Sequence, residues 1–146
     1  MSGTEKTVLD HKKLVELQDE LRSLIGQAEY IRNQIDVITA TIQDLATAIE
    51  TLEYLEKHGE GKTVLVPIGA GNYIRARIEK IENIIMGVGG RISIEASISE
   101  AKQMLEERIK ILENIRLDLL RKLEEINRKI NEILPQVEKL SRKAEQ

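Results

Sequence analysis

The residues Gly59-Glu-Gly-Lys-Thr63 end on Gly-Lys-Thr, the tail of a phosphate-binding loop. In such a loop backbone N–H groups cradle nucleotide phosphates and the lysine reaches the terminal ones. Two requirements fail here. The glycine needed five residues before Gly61 is Glu56, inside a helical pattern, and Lys62-Thr63 opens a strand pattern where the motif's Lys-Thr must open a helix. Gly69-Ala-Gly71-Asn-Tyr-Ile74 fails as a dinucleotide fingerprint in the same way, because Ile74 stands where the third glycine belongs and a strand follows. His11 and His58 lie near opposite ends of one helical pattern, about 70 Å apart by the helical rise, and so form no joint metal site within one chain. Glu106-Glu107 and Glu124-Glu125 sit where a solvated helix face carries ion pairs. Without cysteine there is no thiolate nucleophile, disulfide or Cys-ligated zinc. No nucleophile, base and dry pocket assemble from this set. We therefore expect no enzyme activity, no metal, no cofactor and indifference to ATP.

The 146 residues carry 22 basic and 25 acidic side chains, a net charge of −3, too balanced for phosphate-backbone binding as a main task. Nucleic acid is a poor partner on that ground. No apolar run approaches the roughly 18 residues of a membrane span, and the polar start MSGTEKT does not resemble a secretion signal. A soluble cytoplasmic protein with no membrane partner is expected. Aromatic residues are 2 %, with no Phe or Trp, while charged residues reach 32 %. Such a chain fills narrow seams between helices rather than one thick core.

The elements that must carry any function follow from periodicity. From Leu14 to Leu52, through Leu17, Leu21, Leu24, Ala28, Ile31, Ile35, Ile38, Ile42, Leu45 and Ile49, apolar residues recur at steps of three and four, the pattern of a coiled coil. Gly59 is suited to a left-handed cap after Lys57 and His58. Ser97-Ile-Ser-Glu100 reads as a capping box opening a second helix, whose seam runs from Ile98 to Leu140 with a phase shift expected near Ile115 and Arg116. Between the helices the period falls to two. Val64 to Ile68, Tyr73 to Ile78, Ile84 to Val88 and Arg91 to Ala96 read as four strands, with Gly69-Ala-Gly71 and Gly89-Gly90 turning two hairpins. Pro67 lacks the N–H a sheet ladder needs, which places it at an edge or a bulge. The expected fold is mainly α: a long antiparallel two-helix coiled coil with two β-hairpins inserted. Its parts are a first helix over 1–58, a two-hairpin module over 59–96 and a second helix over 97–146.

Four short strands on the end of a coiled coil are not stable alone, and their edges offer unpaired backbone groups. The insert is therefore expected to be an assembly module whose sheets are completed by copies or relatives. At the other end the seam fails, since the heptad continued backward puts Thr7 and Asp10 on it, while Pro135 interrupts the antiparallel partner. Ile25 and Leu120 widen the packed stripe. Val8, Leu9 and Leu134 fit two readings, a wider stripe or an exposed apolar tip that holds something else.

VLVPIGAGNYIRARI at Val64 to Ile78 and IIMGVGGRISIEASISEAKQML at Ile84 to Leu105, between two seams, closely resemble an archaeal-type prefoldin alpha subunit over nearly the whole chain. Two hairpins rather than one point to the alpha type. The resemblance implies an ATP-independent chaperone in which two alpha and four beta subunits join through their strands into a double β-barrel. Their coiled-coil tips hold unfolded client proteins and deliver them to a group II chaperonin. Client binding would then fall to Val8, Leu9, Leu14, Val15, Ile133, Leu134, Val137 and Leu140. Subunit assembly would fall to Val64, Val66, Ile68, Ile74, Ala76, Ile78, Ile84, Met86, Val88, Ile92 and Ile94. Pro135 departs from a continuous tip helix. An architectural coiled-coil tether binding one partner at its tips is the alternative, and a nucleic-acid arm a weaker one for want of a basic stripe.

Overall fold

The computed structural model describes residues 2–145. In chain order it holds α1 (Gly3–His58), β1 (Thr63–Gly69), β2 (Asn72–Arg77), β3 (Ile84–Gly89), β4 (Ile92–Ala96) and α2 (Ile98–Ala144). The chain forms two compact units. A terminal unit joins α1 up to Thr39 with α2 from Asn114, and a hairpin unit spans Ala40–Glu113.

Both helices start in the same way. The Glu5 N–H donates to Ser2 Oγ at 3.3 Å and the Glu100 N–H to Ser97 Oγ at 3.1 Å, so each serine satisfies a donor in the first turn. Ser2-Gly-Thr-Glu5 has the spacing of Ser97-Ile-Ser-Glu100, a start signal that an eye on the seam passes over. The end of α1 differs from expectation. Gly59 does not take a left-handed backbone; positive φ falls instead on Gly61, at 79°. Gly59 is needed for space. Its N–H donates to the Leu55 carbonyl at 2.9 Å, and a Cβ placed on it would lie 2.6 Å from that same oxygen, with the Ile81 side chain 3.2 Å away.

In the terminal unit Leu24, Ala28 and Ile31 of α1 are buried against Ile126 and Ile133 of α2, with Leu17, Leu21, Ile35, Leu119, Leu123, Ile130 and Val137 packed around them. The expected phase shift at Ile115 and Arg116 is not where the irregularity lies. Ile115 is exposed, and Arg116 takes the seam position between Leu112 and Leu119, half-buried, donating to Thr39 Oγ1 at 3.3 Å. The guanidinium head finds a hydroxyl while its stem covers apolar surface. The irregularity belongs to the hairpin unit, where Ala101, Leu105 and Ile109 face the core at successive steps of four. Pro135 lies inside α2, which continues to Ala144, and Gln136 Nε2 donates to the Glu132 carbonyl at 3.1 Å beside it.

In the hairpin unit the strands form two separate two-stranded antiparallel sheets, β1 with β2 and β3 with β4. Each carries a bulge on its first strand just before the turn, at Ile68 and at Val88. The turns then need positive φ at both central residues, which Ala70 (51°) and Gly71 (78°) supply in one and Gly90 (59°) and Arg91 (61°) in the other. Beyond β2, Ile78 N–H still donates to the Lys62 carbonyl at 2.8 Å, so the ladder outlasts the strand. With 62 and 78 a bonded pair, antiparallel alternation turns the N–H groups of Thr63, Leu65, Tyr73, Arg75 and Arg77 outward. Pro67 sits on the same outward parity, where its missing donor costs the hairpin nothing.

Gly59→Ala is expected to destabilise the chain by about 1–3 kcal/mol, because backbone rather than a movable side chain meets the added methyl. Thermal melting followed by circular dichroism checks this, and an unchanged midpoint contradicts it.

Candidate functional site

The two hairpins present the same alternation and are buried differently. In β3–β4 the register pairs Ile84 with Ala96 and Met86 with Ile94 on one face. That face packs on the helices: Met86 and Ala96 are buried with Leu45, Leu52, Ala101 and Leu105, and Ile84 is half-buried beside them. Lys102 Nζ bonds Glu56 Oε2 at 3.1 Å across α1 and α2 in the same unit. In β1–β2 the equivalent face pairs Val64 with Ala76 and Val66 with Ile74. Every β1 residue is exposed, Ile74 is 51 % exposed, and only Ala76 of β2 and the following Ile78 are half-buried. Ile68, Val88, Ile92 and Ile94 are exposed as well. Of the residues expected to carry assembly, Ile84 and Met86 thus sit in this chain's own core, whereas the rest are open or nearly so.

The opposite sheet faces also carry apolar groups that periodicity alone did not single out. Leu65 pairs with Arg75, Ile85 with Glu95, and both Leu65 and Ile85 are exposed, as is Tyr73. Each strand is bonded on one side only, so both sheets end in free edges within the chain.

At the start of α1 and the end of α2, both in the terminal unit, lies a cleft of about 580 Å³. Leu14, buried, and Leu140, half-buried, line it together with Val8, which is 63 % exposed. Leu9, Val15 and Leu134 are exposed outside it. Ile133 is buried in the seam and Val137 packs against the same core. The structure therefore joins Val8, Leu14 and Leu140 in one concavity, leaves Leu9, Val15 and Leu134 on the surface, and assigns Ile133 and Val137 to packing. Lys6, Asp10, His11 and Lys143 also line the cleft. His11, unremarkable in the sequence, gains its place there because it lies three residues, about one helical turn, from both Val8 and Leu14, on the same helix face. Among the described residues no group of His, Cys, Asp and Glu is placed to hold a metal ion, and no helix is long and apolar enough to cross a membrane.

Residues 24–143 match the family model for a prefoldin subunit. The chain belongs to the prefoldin family. It is 46 % identical over 129 residues to prefoldin subunit alpha 2 of Thermococcus kodakarensis, covering 88 % of this chain and 91 % of that one. It is 31 % identical over 135 residues to prefoldin subunit alpha of Pyrococcus horikoshii, covering 92 % of this chain and 91 % of the relative. A chain of the filamentous prefoldin from Methanocaldococcus jannaschii, solved by cryo-electron microscopy, superposes with a TM-score of 0.70 at 36 % identity, over 80 % of this chain and 97 % of that one. The chain is thus a prefoldin alpha-type chaperone subunit with the prefoldin coiled-coil fold, from a family of chaperone subunits rather than enzymes that assemble with other prefoldin subunits.

Proposed function

We propose that this prefoldin subunit is one of two alpha chains that join four beta subunits in a heterohexamer, holds non-native proteins at its coiled-coil tips and passes them to a group II chaperonin in the cytoplasm without ATP. The observation that carries client binding is the exposure of Val8, Leu9 and Leu134 beside an open cleft over Leu14 and Leu140. Apolar side chains of this kind gain roughly 25 cal/mol per Å² on burial without demanding one client shape. One tip binds weakly, and several tips around one cavity raise the effective concentration for each further contact. Small native proteins expose no extended apolar segment, so selectivity for unfolded chains follows from length and apolarity.

For assembly, the supporting observation is the unpaired β1–β2 sheet with its open face of Val64, Val66 and Ile74. Likeness to a filamentous prefoldin favours a second reading, in which copies of this chain pair with one another through the same hairpins and build a filament. The mass of the purified chain, alone and with candidate beta subunits, separates the two.

Replacing Val8, Leu9 and Leu134 together by Ser is expected to reduce suppression of light scattering by a denatured model protein several-fold while the assembly keeps its mass; unimpaired suppression would sink the tip assignment. Ser at Ile74 and Ile92 is expected to dissociate the assembly with helicity retained, read by native mass spectrometry and circular dichroism, and an intact complex refutes that assignment.

A further inference from the structure

The tip cleft has a charge bias as well as an apolar floor. Of its four ionisable lining residues, Lys6, His11 and Lys143 are basic types and Asp10 alone is acidic. None of Lys6, Asp10 and Lys143 takes part in an ion pair among the described residues. The bias extends beyond the lining. Residues 2–14 and 138–145 hold two more basic than acidic side chains, in a chain whose net charge is −3. Exposed Val8 and half-buried Leu140 supply the surface an apolar segment would cover above buried Leu14, and Lys6 and Lys143 line the same cleft without an ion-pair partner among the described residues.

We propose that this cleft selects, among unfolded chains, apolar segments flanked by aspartate or glutamate, and this rests on the client-binding reading above. The side chains divide the work. Val8 and Leu140 bury the client's apolar residues over the floor that Leu14 forms, while Lys6 and Lys143 meet the flanking carboxylates and Asp10 repels them weakly from one side. A lysine-flanked segment meets two unpaired ammonium groups instead. The contacts are exposed, so the preference is modest and salt-sensitive, with each pair contributing little in water.

The test uses the full-length protein and two fluorescent peptides that share one Leu/Val/Ile core, flanked by Asp and Glu in one and by Lys in the other. At low salt, anisotropy should give about three- to tenfold tighter binding of the acidic peptide. At about 0.5 M salt, where screening acts within a few ångströms, the two affinities should converge. The double variant Lys6→Glu/Lys143→Glu should reverse the order. Equal affinities at low salt, with both lost in Val8→Ser, overturn the charge selectivity and leave tip binding standing. Binding undiminished in Val8→Ser, or no binding of either peptide, overturns both.

Discussion

The whole arrangement turns on two short sheets whose outer strand edges stay unbonded within the chain. Two-stranded sheets are marginal in water, and here each has an unbonded edge on both sides. The β3–β4 sheet escapes this limit in part by laying Met86 and Ala96 on the helix seam, which is why its strands share a core with Leu52 and Leu105. The β1–β2 sheet has no such support. Its ladder, its bulge at Ile68 and its two-residue turn set a register, and that register puts Val64, Val66, Ile74 and Ala76 on one side. That sheet keeps its apolar face and both strand edges uncovered within the chain, and prefoldin subunits assemble with one another.

The helices contribute a different property at their other ends. A seam of Leu, Ile and Ala is self-sufficient where both helices offer apolar residues in phase, as around Ala28, Ile126 and Ile133. Toward the start of α1 the heptad meets Thr7 and Asp10, and a cleft lined by Leu14 and Leu140 opens there. The failure of the repeat is what frees apolar surface there. Arg116 illustrates the contrasting case, a polar residue that keeps the repeat because Thr39 accepts its hydrogen bond.

Much of this was legible in the sequence, and for physical reasons. Steps of three and four gave the helices, alternation gave the strands, and glycine pairs marked the turns, since each signal reports backbone geometry directly. The assignment of a left-handed cap to Gly59 went wrong because a glycine kept for space looks the same in sequence as one kept for φ. The seam shift assigned to Arg116 went wrong because a long polar side chain at a packed position reads as a break. Which hairpin would be covered was not legible: both alternate alike, and the difference lies in the tertiary packing of Met86 and Ala96 with Leu45, Leu52, Ala101 and Leu105. Nor were Lys6, His11 and Lys143 recognisable as cleft residues, because the cleft joins segments some 130 residues apart in the chain.

Amide hydrogen exchange tests most directly whether neighbouring chains complete the β1–β2 sheet. The N–H groups of Leu65, Tyr73, Arg75 and Arg77 point away from the ladder within one chain, so they should exchange fast in dissociated subunits. In the assembled complex the set on the joined edge should slow by orders of magnitude. Equally fast exchange at all four in both states would contradict the account.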